Sequence, residues 1–343
     1  MQRTIPVDPT LRLLHVGLGP LGLLIEADLL ARRIGRVVAA VDMAPELAGK
    51  SLASLLPGAP ADVRVLRSLA EIRDWEMFDA AIVTTSSDLR ACADTFRTLL
   101  ERGVPVVSTC EELVFPWLRH RELADELDQL ARARGTQLLG TGVNPGFVMD
   151  ALPVFASGVC NAVRSVHMYR IQDASTRRVP FQQKIGAGLD VATFRARIAD
   201  GSLRHVGLGE SLHFVAQRLG FEVERWSETI EPVLATAPLA CALGPIPIGH
   251  AAGVRQTAQG ICGGKPLIQL EFQAAIGQTD PHDRVLLDSD PPIDLVIKGG
   301  VHGDVATSAI VINSLQPLIT AEPGLHTMAT IAPASSSDAG ARR

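Results

Sequence analysis

Residues 11–42 read LRLLHVGLGPLGLLIEADLLARRIGRVVAAVD. The apolar run at 11–17 predicts a strand, residues 19–35 have the period of a helix, and residues 36–42 predict a second buried strand. A glycine-rich turn separates the first strand from the helix. This order of strand, turn, helix and strand predicts a βαβ unit.

Three glycines in the segment GLGPLG have the spacing of a dinucleotide-binding turn. Gly17 permits the tight turn, Gly19 lets a diphosphate approach the backbone, and Gly22 lets helix and strand pack closely. The helix begins at Pro20 and Leu21, where free N–H groups and the positive end of the helix dipole favour an anion. We therefore expect these five residues to bind the cofactor.

Asp42 ends the second strand, at the position where an acidic side chain accepts hydrogen bonds from the ribose of a dinucleotide. A carboxylate there repels the 2′-phosphate of NADP, and the residues directly after it carry no cation. Lys50 lies further along the chain and is able to reach a phosphate. The sequence therefore predicts NAD as the cofactor and leaves NADP open.

Further strands are predicted at 62–66, 78–86 and 104–110, with helices at 87–103 and 122–135. Alternation of this kind builds a parallel sheet with helices on both faces. Residues 163–300 carry predicted strands at 163–175, 221–230, 266–277 and 292–300, separated by longer loops, which is typical of a mixed sheet. The predicted fold class is therefore α/β, with an N-terminal Rossmann doubly wound sheet and a second α+β domain.

Four segments follow from this pattern. We expect a dinucleotide-binding domain at 1–148, a substrate and dimerisation domain at 149–301, a C-terminal helix at 302–330 that packs on the first domain, and a flexible tail at 331–343.

Composition excludes several classes of protein. The 343 residues are 47% hydrophobic and 20% charged without a run of eighteen apolar residues, so we expect no membrane span. The net charge of −5 lacks a basic cluster, which disfavours nucleic acid as a partner. Five widely spaced cysteines suit neither a disulfide framework nor a zinc site, and the first ten residues lack the apolar stretch of a secretory signal. We expect a cytoplasmic protein without a metal.

Small polar side chains follow two neighbouring strands of the predicted parallel sheet, at the edge where such sheets bind ligands. We expect them to line the cofactor ribose, whereas Ser86 is as well suited to capping the next helix. The residues are Thr84, Thr85 and Ser86 after one strand and Ser108, Thr109 and Cys110 after the next.

Glu111 and Glu112 come directly after the second of these strands. Adjacent glutamates are common at the start of a helix, and Pro116 indicates that one begins nearby. In the alternative interpretation, one carboxylate points to the nicotinamide and holds ammonia or moves a proton. Position alone does not choose between the two interpretations.

The segment GTGVNPGFVMD, 140–150, is too rich in glycine to be only a connector. Asn144 is a candidate cofactor contact, and the apolar side chains of Val143, Phe147 and Met149 are candidates for excluding water and setting substrate size. Polar candidates further along the chain are Arg170, Gln172, His205, Gln256 and Thr307. Scattered histidines and arginines are more often structural than catalytic.

The following segments together resemble the 2,4-diaminopentanoate dehydrogenase family: STCEEL at 108–113, GTGVNPGFVMD, QDASTRR at 172–178, QQKIGAG at 182–188, RHVGLGES, GVRQTAQG and VHGDVAT. That family includes the native amine dehydrogenases, and its fold is similar to dihydrodipicolinate reductase. The resemblance implies NAD(P)H-dependent reductive amination of a ketone with ammonia, the reverse oxidative deamination, and a homodimer. It also implies that the catalytic residue is Glu111 or Glu112, and that Asn144, Arg170, Gln172 and Thr307 surround the pocket, with His205 and Gln256 nearby.

Two alternatives remain open at this point. One is an NAD(P)-dependent imine or carbonyl reductase that works without ammonia. The other is a sensor that binds the dinucleotide without turning it over.

Overall fold

The computed structural model describes residues 11–336. The predictions for the first ten residues, and for residues 337–343 of the proposed tail, lie outside this range. The chain contacts divide the protein into two compact units. The first runs to Phe147 and resumes at Gly303, and the second is Val148–His302. The domain limits expected from the sequence remain predictions.

The first unit contains a seven-stranded parallel sheet in the order β15-β6-β5-β4-β1-β2-β3. Without the edge strand β15, this is the strand order of a doubly wound dinucleotide-binding sheet. The strands are β1 (Leu11–Val16), β2 (Gly35–Val41), β3 (Val65–Leu66), β4 (Ala80–Val83), β5 (Val106–Ser108), β6 (Gln137–Gly140) and β15 (Gly324–His326).

Helices pack on this sheet, with α1 against α9 and α3 against α4. Central strands such as β4 are buried along their whole length, which explains why they read as continuous apolar runs. The helices are α1 (Pro20–Arg32), α2 (Leu52–Leu55), α3 (Leu89–Glu101), α4 (Arg121–Arg134) and α9 (Gly303–Ile319).

Helix α1 is shorter than the helical period at 19–35 predicts. It begins directly after Gly19 with Pro20 in the first turn, where the missing N–H of proline costs nothing. It ends because Arg33 adopts the left-handed conformation, with φ 54°, and its N–H donates to Leu29 O. The chain then enters β2 at Gly35.

The C-terminal segment contributes more than the predicted helix. After α9, residues Gly324–His326 form β15, a strand that pairs with β6 through the register Gly324↔Gln137. All three residues of β15 are buried. Strand β15 therefore forms one edge of the first sheet.

The second unit is built on a six-stranded mixed sheet in the order β14-β13-β7-β12-β11-β8. Its β7 and β12 are parallel, and the other neighbours are antiparallel. The strands of this unit are β7 (Ala162–Asp173), β8 (Arg225–Leu234), β9 (Leu239–Cys241), β10 (Gly244–Ile246), β11 (Ala251–Cys262), β12 (Lys265–Ala275), β13 (His282–Asp290) and β14 (Ile293–Lys298). The helices are α5 (Ala151–Ala156), α6 (Val179–Lys184), α7 (Val191–Ala199) and α8 (Leu208–Leu219).

The predicted α/β fold class is therefore confirmed, with a parallel first sheet and a mixed second sheet. Strands β11 and β13 were not among the predicted strands, and β8 begins and ends four residues later than the predicted strand at 221–230.

Candidate dinucleotide and active site

The glycine turn between β1 and α1 has the geometry that a diphosphate requires. Gly17 has φ +97°, and its N–H donates to Val41 O at 2.8 Å. A Cβ atom at Gly22 would lie 2.2 Å from Gly17 O, so only glycine lets α1 start this close to the turn. A Cβ at Gly19 would meet nothing within 4 Å, which leaves open space at the helix N-terminus. These residues fit a dinucleotide.

The first turn of α1 has fewer free amide donors than that of most helices, because its first residue is a proline. Pro20 has no N–H, so the donors that lack an intrahelical partner come from Leu21 and Gly22. Both Gly19 and Pro20 are exposed. An anion is therefore able to approach this end of the helix without displacing a side chain.

Asp42, directly after β2, contacts the glycine turn itself. Its Oδ2 accepts the N–H of Leu18 at 2.6 Å, and its Oδ1 accepts the N–H of Ala44 at 2.8 Å. Each carboxylate oxygen has a second lone pair for a ribose hydroxyl. Asp42 therefore has a structural role in addition to the predicted ribose contact.

Thr84 also acts on the glycine turn. Its hydroxyl donates to Gly17 O at 2.6 Å, and its Oγ1 lies 3.2 Å from Nε2 of His15. The ring of His15 in turn lies 3.5 Å from Glu26 Oε2, and His15 and Glu26 are almost completely buried. The sequence analysis missed both residues, although a histidine within an apolar strand and a glutamate on the apolar face of α1 were visible signals.

The other small polar residues after β4 lie in the turn that leads to α3. Thr85 Oγ1 lies 3.4 Å from Cys92 Sγ, and Ser86 Oγ accepts the N–H of Asp88 at 3.1 Å. Asp88 itself caps α3 by accepting the N–H of Ala91. Ser86 therefore holds the turn before the helix, whereas the cap of α3 itself is Asp88.

The residues after β5 are tied to the residues after β4. Ser108 Oγ donates to Val83 O at 3.0 Å and accepts the N–H of Cys110 at 3.1 Å. The N–H of Thr109 also donates to Val83 O. The Cys110 thiol donates to Ser87 O at 3.3 Å. The segment just before the two glutamates is thus held in a fixed conformation.

One carboxylate oxygen of Glu112 contacts two different residues. Its Oε2 accepts the N–H of Leu89, the first residue of α3, at 3.0 Å and lies 3.0 Å from Nε2 of His120. Its own N–H donates to Ser87 O. Glu112 therefore joins the start of α3 to the segment before α4, and the sequence analysis did not identify His120 as its partner.

Glu111 begins the single 3₁₀ turn Glu111–Val114 directly after β5. Its Oε2 is buried from solvent. The turn packs against Gly140 at the end of β6, where a Cβ atom would lie 2.6 Å from Leu113 C. Gly140 thus lets this turn lie at the carboxyl edge of the parallel sheet, where ligands of such sheets bind.

The glycine-rich segment after β6 contacts helix α9. The N–H of Val143 donates to Thr307 Oγ1 at 3.2 Å, which brings two of the predicted substrate residues together. Gly146 has φ +124°, and a Cβ there would lie 2.3 Å from Gly142 N. Asn144 is almost completely buried in this compact turn.

The apolar residues near Asn144 that are candidates for contacting substrate belong to both units. Phe147 is the last residue of the first segment of unit one, and Met149 belongs to the second unit, where it is fully buried. Val143 is also buried.

Arg170 and Gln172 lie in a buried network of the second unit. Arg170 Nη1 donates to both oxygens of Asp283, at 2.8 and 2.9 Å, and its Nη2 donates to Val301 O. Gln172 Nε2 also donates to Val301 O, at 3.1 Å. Burial lowers the pKa of the Arg170 guanidinium, and the charge of Asp283 opposes that shift. Both residues thus fix the backbone near the C-terminal end of this unit.

Gln256 is the partner of the His205 backbone. Its Oε1 accepts the N–H of His205 and its Nε2 donates to His205 O, each at 2.8 Å. The Nε2 also donates to Glu228. The His205 ring packs edge-on against Phe272. Desolvation lowers the pKa of His205 well below its usual value, and the nearby Lys184 acts in the same direction.

A sheet of this order with an open glycine turn defines the class of dinucleotide-binding proteins with a Rossmann fold. A family model described as the 2,4-diaminopentanoate dehydrogenase C-terminal domain matches residues 147–341, more than half of the chain. The chain belongs to this family, and the resemblance found in its motifs is confirmed.

Two relatives match over much of the chain. The 2,4-diaminopentanoate dehydrogenase of Acetoanaerobium sticklandii is 27% identical over 325 residues and covers 92% of each chain. The amine dehydrogenase of Streptomyces virginiae is 25% identical over 275 residues, which are 72% of this chain and 75% of the relative.

Solved structures share the fold. The amine dehydrogenase from Mycobacterium smegmatis superposes with a TM-score of 0.82 at 22% identity, over 96% of this chain and 98% of that chain. A dipicolinate-bound dihydrodipicolinate reductase from Paenisporosarcina sp. TG-14 has a TM-score of 0.51 at 12% identity, over 93% and 98%. The fold is thus of the dihydrodipicolinate reductase-like type.

Among residues 11–336, none of the helices combines the length and the apolar character needed to cross a bilayer.

Proposed function

We propose that this protein is an NAD(P)H-dependent amine dehydrogenase, which converts a small ketone and ammonia into an amine and also catalyses the reverse oxidative deamination. The names of both relatives and the family match support this activity, as predicted from the sequence. Within that activity we assign the catalytic carboxylate to Glu111.

The observation that carries this assignment is the position of Glu111, which directly follows β5 at the carboxyl edge of the parallel sheet. The Glu112 carboxylate already binds the Leu89 amide and His120, a role that supports the fold around α3. Glu111 lies one residue after Cys110 at the carboxyl edge of the sheet, with its Oε2 buried. A half-buried carboxylate with one buried oxygen at that edge is suited to hold a cation that forms during the reaction.

In this mechanism the Glu111 carboxylate accepts a hydrogen bond from ammonia and orients it toward the ketone carbon. It takes up one proton from the ammonium ion that delivers the ammonia and returns that proton to the carbinolamine hydroxyl as water leaves, so that ketone and ammonium give iminium, water and the free carboxylate. The iminium that results carries a positive charge, which the carboxylate stabilises. The reduced nicotinamide supplies the hydride when it is bound. Apolar side chains such as Val143 and Phe147 exclude water.

We propose NAD as the preferred cofactor, with NADP possible. The support is Asp42, whose carboxylate is fixed against the glycine turn by the amides of Leu18 and Ala44 and would repel a 2′-phosphate. We also propose that the other residues predicted to contact the cofactor do so. Thr85, Ser108 and Asn144 are among them.

We also propose a homodimer that uses one face of the second sheet. Along β7, buried residues alternate with half-buried ones, including His167 and Tyr169, whose rings stack at 4.1 Å. Arg255 and Glu271 form an ion pair at 2.8 Å on the neighbouring strands β11 and β12. The predicted cytoplasmic location is part of this proposal and agrees with the free cysteines.

The decisive experiment measures oxidation of NADH and NADPH with a panel of ketones, in the presence and absence of ammonium, and the reverse reaction with 2,4-diaminopentanoate. We expect turnover that depends on ammonium. Equal rates without ammonium would identify a carbonyl reductase instead. Cofactor binding without turnover of any ketone or amine would identify a sensor.

The proposed homodimer is tested separately. Light scattering measures the mass of the assembly in solution.

A further inference from the structure

Beneath the glycine turn lies a chain of polar contacts that the dinucleotide fold does not require. It runs from Glu26 on α1 to His15 on β1, to Thr84 after β4, and to the carbonyl of Gly17. His15 and Glu26 are exposed by no more than 1% of their surface. Buried polar groups are costly unless each one has a partner, so this chain needs a reason to be present.

The direction of the hydrogen bonds follows from the atoms. A carbonyl oxygen only accepts, so the Thr84 hydroxyl must donate its proton to Gly17 O over 2.6 Å. Its oxygen then accepts from Nε2 of His15 at 3.2 Å, and Nε2 therefore carries a hydrogen. Nδ1 of the same ring faces Glu26 Oε2 at 3.5 Å, so one proton lies between these two groups.

Both polar groups of Gly17 are held by this arrangement. Its N–H donates to Val41 O, and its carbonyl accepts from Thr84. The same carbonyl lies 2.2 Å from where a Cβ of Gly22 would be, and Thr84 Oγ1 lies 2.9 Å from that position. Thr84 therefore contacts the point where the turn and the start of α1 meet.

We propose that Glu26, His15 and Thr84 are positioning residues for the dinucleotide, which orient the Gly17 peptide and so the amide donors at the start of α1. The inference rests on the dinucleotide binding of the proposed function, but not on amine turnover. These residues act through the glycine turn and have no role in the chemical step.

The test compares variants that break one contact with variants that keep it. Thr84→Val removes the hydroxyl at nearly constant shape, whereas Thr84→Ser retains it. Thr98→Val is the matched control, because the Thr98 hydroxyl donates to Asp94 O in α3, away from the turn. NADH binding is measured on the full chain by energy transfer from tryptophan to the bound cofactor, and the melting temperature is measured without cofactor.

For Thr84→Val we expect the Kd for NADH to rise about tenfold, since a buried carbonyl and a buried imidazole N–H each lose a partner. Thr84→Ser should restore binding to within about twofold, and Thr98→Val should leave it unchanged. With saturating cofactor and substrate, kcat should change much less than the cofactor KM.

A second pair covers the case in which Thr84→Val does not fold. Glu26→Gln keeps a polar side chain that can donate to or accept from Nδ1 of His15, and Glu26→Leu removes it. We expect Glu26→Leu to raise the Kd several-fold and Glu26→Gln to bind like the unmodified chain. A lower melting temperature with an unchanged Kd in both disruptive variants would show a purely structural network and overturn the inference. Failure of the unmodified chain to bind either cofactor would instead overturn the proposed function.

Discussion

Glu112 and His120 contact each other through a carboxylate oxygen and Nε2 at 3.0 Å, and the same oxygen accepts the amide of Leu89. Both side chains are largely buried. The contact ties the turn after β5 to the first residue of α3 and to the residue before α4. Adjacent glutamates that are equivalent in the sequence therefore have different surroundings, and different effects follow from replacing each.

The first prediction concerns the two glutamates. Glu111→Gln keeps the size of the side chain but removes the negative charge, so we expect kcat for reductive amination to fall by about 100-fold or more, with little change in melting temperature. Glu112→Gln weakens the acceptor for Leu89 and His120, so we expect a lower melting temperature and a kcat within about tenfold of the unmodified enzyme. Steady-state kinetics and thermal unfolding measure the two effects.

Glu101→Gln is the matched control for this pair, because Glu101 is exposed at the end of α3. Near-normal turnover in Glu111→Gln combined with a large loss in Glu112→Gln would reverse the assignment.

The second prediction concerns Asp42 and cofactor choice. Replacement by Ala removes the repulsion of a 2′-phosphate and also the acceptor for the Leu18 amide. We expect the Kd for NADH to rise about tenfold and the preference for NADH over NADPH to shrink by a similar factor. Fluorescence titration with both cofactors measures the ratio. An exposed aspartate, Asp94, supplies the control substitution, and an unchanged ratio in Asp42→Ala would contradict the role of Asp42.

Much of the first unit could be predicted because its strands are buried on both faces and its helices have caps. β4 and β5 read as apolar runs, and Asp88 marks the start of α3. β15 could not be predicted, because three residues with no alternation become a strand only by pairing with β6. β11 has the same difficulty, since it buries Gln256 among small residues between β8 and β12.

The candidate site divides in the same way. The glycine turn was recognisable because backbone conformation and close packing restrict those positions to glycine. The roles of side chains were not recognisable, because partners distant in the sequence set them. Arg170 binds Asp283, 113 residues away, and Gln256 binds the backbone of His205, 51 residues away. The same reason explains why His15 and Glu26 were missed.

The third prediction concerns the buried ion pair of the second unit. Arg170 and Asp283 are each exposed by no more than 2%, so Asp283→Asn leaves a buried guanidinium opposite a neutral amide. We expect the free energy of unfolding to fall by about 3–5 kcal/mol, measured by urea denaturation followed by circular dichroism.

Asp294→Asn is the matched control, because Asp294 pairs with Arg284 on the neighbouring strands β13 and β14 while both side chains are exposed. Exposed pairs are screened by water and contribute little, so this variant should unfold almost like the unmodified chain. Equal losses in the two variants would mean that burial of the Arg170 pair has no special effect.

The fourth prediction concerns Cys92, whose Sγ lies 3.4 Å from Thr85 Oγ1 beneath the turn after β4. The interaction with the Cys110 side chain lowers the pKa of Cys92 to about 7 although burial opposes the shift, and the same interaction raises the pKa of Cys110. The folded-state pKa of Cys92 is thus below the ordinary thiol value of 9.0. This acid therefore stabilises the fold fully above about pH 9, and the contribution is lost as the pH falls through about 7.

The ultraviolet absorbance of thiolates measures this titration on the intact chain. We expect a step with a midpoint near pH 7 that disappears in Cys92→Ser and moves toward pH 9.0 in Cys110→Ala, because alanine lacks the thiol that interacts with Cys92. Cys262→Ser is the control, since burial raises the pKa of that thiol and it does not titrate in the same range. A step that survives in Cys92→Ser would belong to another thiol, and the pairing of Cys92 with Cys110 would then not govern the charge beneath this turn.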